Sequence, residues 1–356
     1  MALSLARALL ACAWVIVAAE IFLRVFHPVP VIPRYVMAGP YGIRVNRPNM
    51  KYWHRSADFK IQIRTNSKGI RADKEIPYDK PPDVQRIVIL GDSFGMGYEV
   101  NLEDSFTYRL EQDLRNNGVK AEVVNLSVSG YGNAEELISL EHEGLKYHPD
   151  VVLLCWNSTD TADNVRCGLY QLQNGQLIKQ NSEFLPGVAI QERLDRIPGY
   201  SWVEANSSLY SFAREWISWN VAKPLLLSVQ RLKDPPGRHK AVKVANDDED
   251  RYASDLTVSL VKEVNRVSAA AGAHFVLLDI PVHNNNRIFT SMFPVDLKTT
   301  SLGLDVLSPI ATFDAHWRAG QIYWTRSQGH FTPFGCRLVG DLLCEHLIGH
   351  HLVHRQ

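Results

Sequence analysis

The run Ile87-Val88-Ile89-Leu90, followed at once by Gly91-Asp92-Ser93, constrains this chain more than any other feature. Four β-branched or aliphatic residues in succession read as a strand buried on both faces, as in a parallel sheet covered by helices. Gly91 permits a sharp turn, so Ser93 emerges at the strand's C-terminal end, where open α/β sheets place their ligand sites. From Leu102 to Leu114, apolar residues recur at helical spacing (Leu102, Phe106, Leu110, Leu114). Ser93 thus has two assets of a nucleophile: exposure at the sheet edge, and backbone N–H groups at a turn to meet an oxyanion.

The flanking pattern predicts strand 86–90, helix 102–116, strand 121–126, helix 133–145 and strand 150–156. That alternation defines an α/β fold, a doubly wound parallel sheet with helices on both faces. The rhythm breaks between about 165 and 250. One helix stands out there, Ser208 to Asn220, with Leu209, Phe212, Ala213, Trp216 and Ile217 on one stripe. The stripe is expected to pack over the sheet; the other reading is a cap that lines an acyl pocket or rests on a bilayer, which Trp216 and Trp219 would suit. Residues 234–250 read as a solvated loop. Helix 251–270 and strand His274 to Ile280 resume the pattern, and an amphipathic helix near the C-terminus carries Leu338, Val339, Leu342, Leu343 and Leu347.

Length and charge set limits on function. The chain has 356 residues, enough for one large α/β domain with an insertion. Lysine plus arginine equal aspartate plus glutamate at 38 each, so no nucleic-acid partner is expected. The five cysteines (Cys12, Cys155, Cys167, Cys336, Cys344) are odd in number and lack CxxC spacing, so neither a disulfide framework nor a zinc site follows. Isolated Cys155–Cys167 or Cys336–Cys344 bridges are the alternative to free thiols. No metal and no cofactor are expected.

The first 26 residues read as a membrane anchor. From Ala8 to Phe26 the ionisable side chains are Glu20 and Arg24, apart from the Cys12 thiol. The fully uncharged part, Ala8 to Ala19, is short for a span of about 20 residues, and a snorkelling Arg24 would extend it. Val17-Ala18-Ala19 also fits a signal-peptidase site, the competing reading. The apolar continuation through Ile21, Phe22, Leu23, Val25 and Phe26 favours an uncleaved signal-anchor. Residues 27–80 then form a linker stiffened by Pro28, Pro30 and Pro33 and a small β lead-in, and 81–356 form the main domain.

Three later segments complete the pattern: Asn125-Leu126-Ser127-Val128-Ser129-Gly130-Tyr131-Gly132, Asn157 after the strand 151–156, and His330-Phe331-Thr332-Pro333-Phe334-Gly335. Serine, glycine, asparagine and histidine in that order resemble the SGNH branch of the GDSL esterase/lipase family. An Asn-Ser-x-Gly-x-Arg phrase (Asn66 to Arg71) and the Pro149-Asp150 couplet are similar to its membrane-anchored bacterial members. The resemblance covers roughly 60–165 and 255–350. It implies an SGNH fold with Ser93 as nucleophile and His330 as base. The oxyanion hole would combine the backbone N–H groups of Ser93 and Gly130 with the Asn157 amide. Because the family shows Asn-Asp where this chain reads Asn157-Ser158-Thr159-Asp160, Thr159 is the other candidate for the asparagine position.

The family's acid is the departure. It stands two or three residues before the histidine, where this chain has Gln328 and Ser327. Neither is anionic, so the expected orienting group is the Gln328 amide, Ser327 or a backbone carbonyl. Asp314, sixteen residues upstream, is not assigned. On this reading an aspartate introduced at 328 is expected to raise turnover. The implied function is a serine esterase or deacylase that hydrolyses an ester-linked acyl group of a lipid or glycan through an acyl-enzyme, with activity reduced by the missing acid. The alternatives are an O-acyltransferase of a surface polysaccharide and a catalytically degenerate binding protein. Basic residues flanking the anchor favour a cytoplasmic body, whereas the family resemblance implies an extracytoplasmic one, which is the reading followed here.

Overall fold

The computed structural model describes residues 2–27, 29, 31, 34–180, 193–217, 220–221, 245–295 and 302–355. Pro28, Pro30, Pro33, Trp219 and residues 234–244, each singled out from the sequence, lie outside them; residues 245–250, expected to end a solvated loop, instead begin the helix expected at 251.

The apolar strands assemble into one parallel five-stranded sheet. Its members are β5 (Gln85–Gly91), β6 (Ala121–Asn125), β7 (Val151–Trp156), β10 (His274–Asp279) and β11 (Asp305–Leu307), in the spatial order β11-β10-β7-β5-β6. Successive side chains on a strand point to opposite faces. Val88 and Leu90 of β5 accordingly enter one apolar cluster, with α4 (Asn133–His142) and α8 (Ala245–Ala270). Ile87 and Ile89 enter another, with α3 (Phe106–Asn116) and α10 (Pro333–Gly349). The sheet is therefore covered on both sides, as its unbroken hydrophobic strands require. Register aligns Gly91 with Cys155 and Ile89 with Asn125, so the C-terminal ends of β5, β6 and β7 share one edge.

Two expected helices are interrupted. The segment 102–116 begins as a 3-10 turn, Leu102–Asp104; Ser105 then caps α3 by accepting from the Tyr108 N–H at 3.3 Å. The segment 133–145 ends in a second 3-10 turn, Gly144–Tyr147. The lead-in holds two antiparallel hairpins, β1 (Val36–Ala38) with β2 (Arg44–Asn46) and β3 (Lys51–Arg55) with β4 (Lys60–Arg64). Tyr52, Ile61 and Ile63 pack against Met96 and Tyr98, beside the nucleophile turn. After α5 (Asp160–Cys167) comes a third hairpin, β8 (Tyr170–Gln173) with β9 (Gln176–Lys179). All five thiols are free, so neither isolated bridge forms.

The helix expected over 208–220 exists as α7 (Ser208–Ile217), preceded by α6 (Tyr200–Asn206), but it lies the other way round. Ser208 and Ser211 are buried, whereas Phe212, Trp216 and Ile217 are exposed. Periodicity identifies an apolar stripe but not what it faces. On its inner side the first turn of this helix meets Glu20 through backbone N–H groups, and Arg214 pairs with the buried Glu204. The first helix, α1 (Ala2–Phe26), contains one stretch among the described residues, Ser4–Phe26, that is long and apolar enough to cross a membrane. Length and composition alone fit a signal sequence equally.

Candidate active site

Ser93 stands where β5 gives way to the short helix α2 (Ser93–Met96). Asp92 caps this turn: its Oδ1 accepts from the Phe94 N–H at 2.8 Å. Gly91 has no positive φ, so a sharp turn is not what requires glycine there. The requirement is space: a Cβ at Gly91 would sit 3.0 Å from the Cys155 Cβ, and one at Gly95 would sit 2.4 Å from the Ser127 Oγ.

His330 arrives on the loop before α10. Thr332 caps that helix by accepting from the Gly335 N–H at 3.1 Å. The His330 carbonyl accepts from the Trp324 N–H at 2.8 Å, and the ring lies against Phe94. These contacts place Nε2 2.7 Å from the Ser93 Oγ. The Asp92 Oδ2 is 3.2 Å from the same hydroxyl, so the histidine is the closer proton acceptor.

The other ring nitrogen faces a residue that sequence reasoning missed. The Nδ1 of His330 lies 3.3 Å from Oε2 of Glu99, a side chain only 1% exposed. The carboxylate approaches Nδ1 closely but not along a hydrogen-bond direction. Such bonds are often long before substrate binds. Ser327 and Gln328 do not orient the histidine directly. The Ser327 hydroxyl donates to Oε2 at 2.9 Å, the Gln328 N–H donates to Oε1 at 3.0 Å, and the His330 N–H donates to Oε2 at 3.2 Å. The two positions where an acid was sought thus hold one delivered from residue 99. Burial pushes the Glu99 carboxyl up, but His330, Gln328 and Ser327 together outweigh it, so its pKa is lowered. A glutamate between Tyr98 and Val100, both buried, was the available signal. Asp314 is exposed on α9 (Ile310–His316).

Asn157, at the end of β7, is held beside the nucleophile turn. Its Oδ1 accepts from the Thr159 N–H at 3.0 Å and the Thr159 hydroxyl at 2.9 Å, which turns its NH2 group the other way. That group reaches Asp160 Oδ1 at 3.3 Å and also the Asp92 carboxylate, one residue from the nucleophile. Thr159 is therefore the support. Gly130 has a φ of +78°, the left-handed region, and its carbonyl accepts from the Arg44 guanidinium, which also contacts Glu135.

The Asn66-to-Arg71 phrase proves to be a brace for this turn. Arg71 is buried and its guanidinium donates to the carbonyls of Met96 at 2.7 Å, Gly97, and Val100 at 2.5 Å. His54 sits beneath the same turn with Nδ1 3.1 Å from the Tyr98 carbonyl, and burial lowers its pKa to about 4. The space behind Ser93 and His330 is a narrow crevice lined by Phe94, Tyr98 and Phe331. Wider surface depressions lie elsewhere, around Gln85, Asp150 and His274 at the opposite end of the sheet and around Leu137, Tyr170 and Val267 beside α4 and α8. Among the described residues no cluster of three or more His, Cys, Asp or Glu side chains is arranged to hold a metal ion.

No family model matches the chain, and no curated protein matches it. Solved structures similar to it include an acetyl xylan esterase, AlAXEase, at 12% identity and a TM-score of 0.40, covering 74% of this chain and 99% of that one. Another is a lipase/acylhydrolase from Enterococcus faecalis, at 14% identity and 0.40, covering 76% and 98%. A member of the lipolytic protein G-D-S-L family from Veillonella parvula matches at 11% and 0.36, covering 73% and 97%. At these levels of identity and superposition, function has to be argued from the chain's own residues.

Proposed function

We propose that the chain is a serine esterase that cleaves an ester-linked acyl group of a lipid or glycan. The observation that carries this reading is the continuous line Ser93 Oγ, His330 ring, Glu99 carboxylate, with spacings of 2.7 and 3.3 Å. His330 Nε2 takes the Ser93 proton as Oγ attacks the acyl carbon, and the anionic Glu99 stabilises the imidazolium that results. The developing oxyanion is met by the N–H groups of Ser93 and Gly130 and the Asn157 amide. His330 then returns the proton to the departing alcohol and deprotonates the water that releases the acyl group. Glu99 supplies an anion where Ser327 and Gln328 offer none. We place the enzyme at a membrane through α1, with its body extracytoplasmic.

An active-site-directed fluorophosphonate tests the proposal. Wild-type protein is expected to label at Ser93 and Ser93→Ala to remain unlabelled. Equal labelling of both, or none of the wild type, would overturn it.

A further inference from the structure

We propose that α6 and α7 form a seat on the surface of a lipid bilayer, beside the point where α1 leaves it. The two charged residues near the end of α1 are used by these helices. The Glu20 carboxylate accepts from the Ser207 hydroxyl at 2.9 Å, the Ser208 N–H at 2.9 Å and the Leu209 N–H at 2.8 Å, satisfying the first turn of α7. Arg24 donates to Glu20 at 2.6 Å and to the Asn206 carbonyl at 2.6 Å, while Leu23 is buried and His27 meets the Phe212 ring. Glu20, Leu23 and Arg24 of α1, with His27 just beyond it, therefore meet the folded body, whereas Leu9, Trp14 and Val15, and on the other side of the same end Phe22 and Phe26, stand exposed.

The inverted helix supplies the independent argument. α7 buries Ser208 and Ser211 at 6% and 3% exposure, and Glu204 of α6 is buried against Arg214. The same two helices present Trp202 at 69%, Phe212 at 39% and Trp216 at 55% to the outside. A surface helix in water has the opposite arrangement. Tryptophan suits the zone between hydrocarbon and water, where its ring meets apolar chains and its N–H meets polar groups. Continuity identifies the occupant: the two helices that carry the exposed aromatic side chains adjoin the end of the helix that is long and apolar enough to span a membrane. Glu20 lies about 9 Å along the axis from Phe26, at 1.5 Å per residue, so α7 meets α1 within the depth of an interfacial helix.

The test uses the full chain in nanodiscs containing acyl-brominated phosphatidylcholine, which quenches tryptophan within the bilayer. Wild type should lose part of its fluorescence. Trp14→Phe and the double variant Trp202→Phe/Trp216→Phe should each remove a share of that quenchable signal, and Trp53→Phe, on β3, should remove none. An unchanged quenchable signal in the double variant, with Trp14→Phe reducing it, would overturn the seat while keeping the anchor. A signal that neither variant reduces would overturn both. A dimer in detergent that dissociates in the double variant, without bilayer quenching, would assign the face to a second copy of the chain instead. None of these readouts depends on esterase activity.

Discussion

At the scale of single residues, the carboxylate proposed to support His330 is displaced in sequence from the expected position but not in space. Glu99 lies six positions after Ser93 on the same turn and reaches His330 from the nucleophile's side. Ser93 and His330 were legible because each stands at a strand or helix boundary whose pattern is local. Glu99 was not, because its pairing joins residues 231 apart in sequence and no local spacing encodes it. We expect Glu99→Gln to lower turnover by about 10³–10⁴ while the protein stays folded, the scale set by neutralising a triad acid elsewhere. Turnover within a few-fold of wild type would show that Glu99 does not support the base. Gln328→Asp now carries the opposite expectation from the sequence reading: a second carboxylate beside Glu99 repels it, and turnover should not rise. For Gly130→Ala, left-handed backbone costs roughly 1–2 kcal/mol with a Cβ present, and that Cβ would stand 3.1 Å from the Arg44 guanidinium. Thermal denaturation should show that loss alongside slower turnover, so stability has to be measured before the rate is assigned to the oxyanion hole.

At the scale of elements, α4 and α5 carry a buried acidic pocket that periodicity does not show. The helix 133–145 was expected from its apolar spacing, yet Glu136 is as buried as its leucines. Its Oε2 accepts from Asn133 at 2.9 Å, and its Oε1 has no partner. Burial pushes the Glu136 carboxyl well above the ordinary 4.5, against the Asn133 hydrogen bond, and the nearby Asp92 adds to the rise. The folded state therefore keeps a proton that the unfolded chain releases. The stability this contributes is complete below about pH 4.5 and is lost progressively as pH rises toward the folded value. Glu136→Gln removes that dependence. Urea denaturation should find the variant gaining on wild type as pH goes from about 5 to about 8; a pH-independent difference would mean that Glu136 is charged in the folded protein. The helix α7 gives the matching lesson for orientation. Its stripe was visible in the sequence, but the side it faces depends on Glu20, 188 residues away from its first turn.

At the scale of the whole molecule, the site is a convergence of three strand ends held by a fourth part of the chain. The alternating strands and helices made the parallel sheet legible, because each buried strand announces itself locally. The lead-in was legible only as a short β region; its hold on the nucleophile turn was not. Arg71 grips the carbonyls of Met96 and Gly97, which lie between Ser93 and Glu99, and of Val100, which follows Glu99, so its guanidinium holds both sides of that residue. Burial lowers its pKa to about 10, so it keeps its charge at neutral pH. Lysine carries the same charge on a single nitrogen and cannot reach three carbonyls in the fixed fork of a guanidinium. Arg71→Lys should therefore leave buried carbonyls without donors, at about 1–3 kcal/mol for each group left unsatisfied. Misplacing Glu99 against His330 should slow fluorophosphonate labelling of Ser93 at least about tenfold, because catalytic groups tolerate displacements of only about half an ångström. The comparison is made at a temperature where denaturation curves show both proteins folded. Labelling at the wild-type rate in a destabilised Arg71→Lys protein would reduce the lead-in to a stabilising element. Slowed labelling would instead make residues 66–71 part of the machinery that positions the turn.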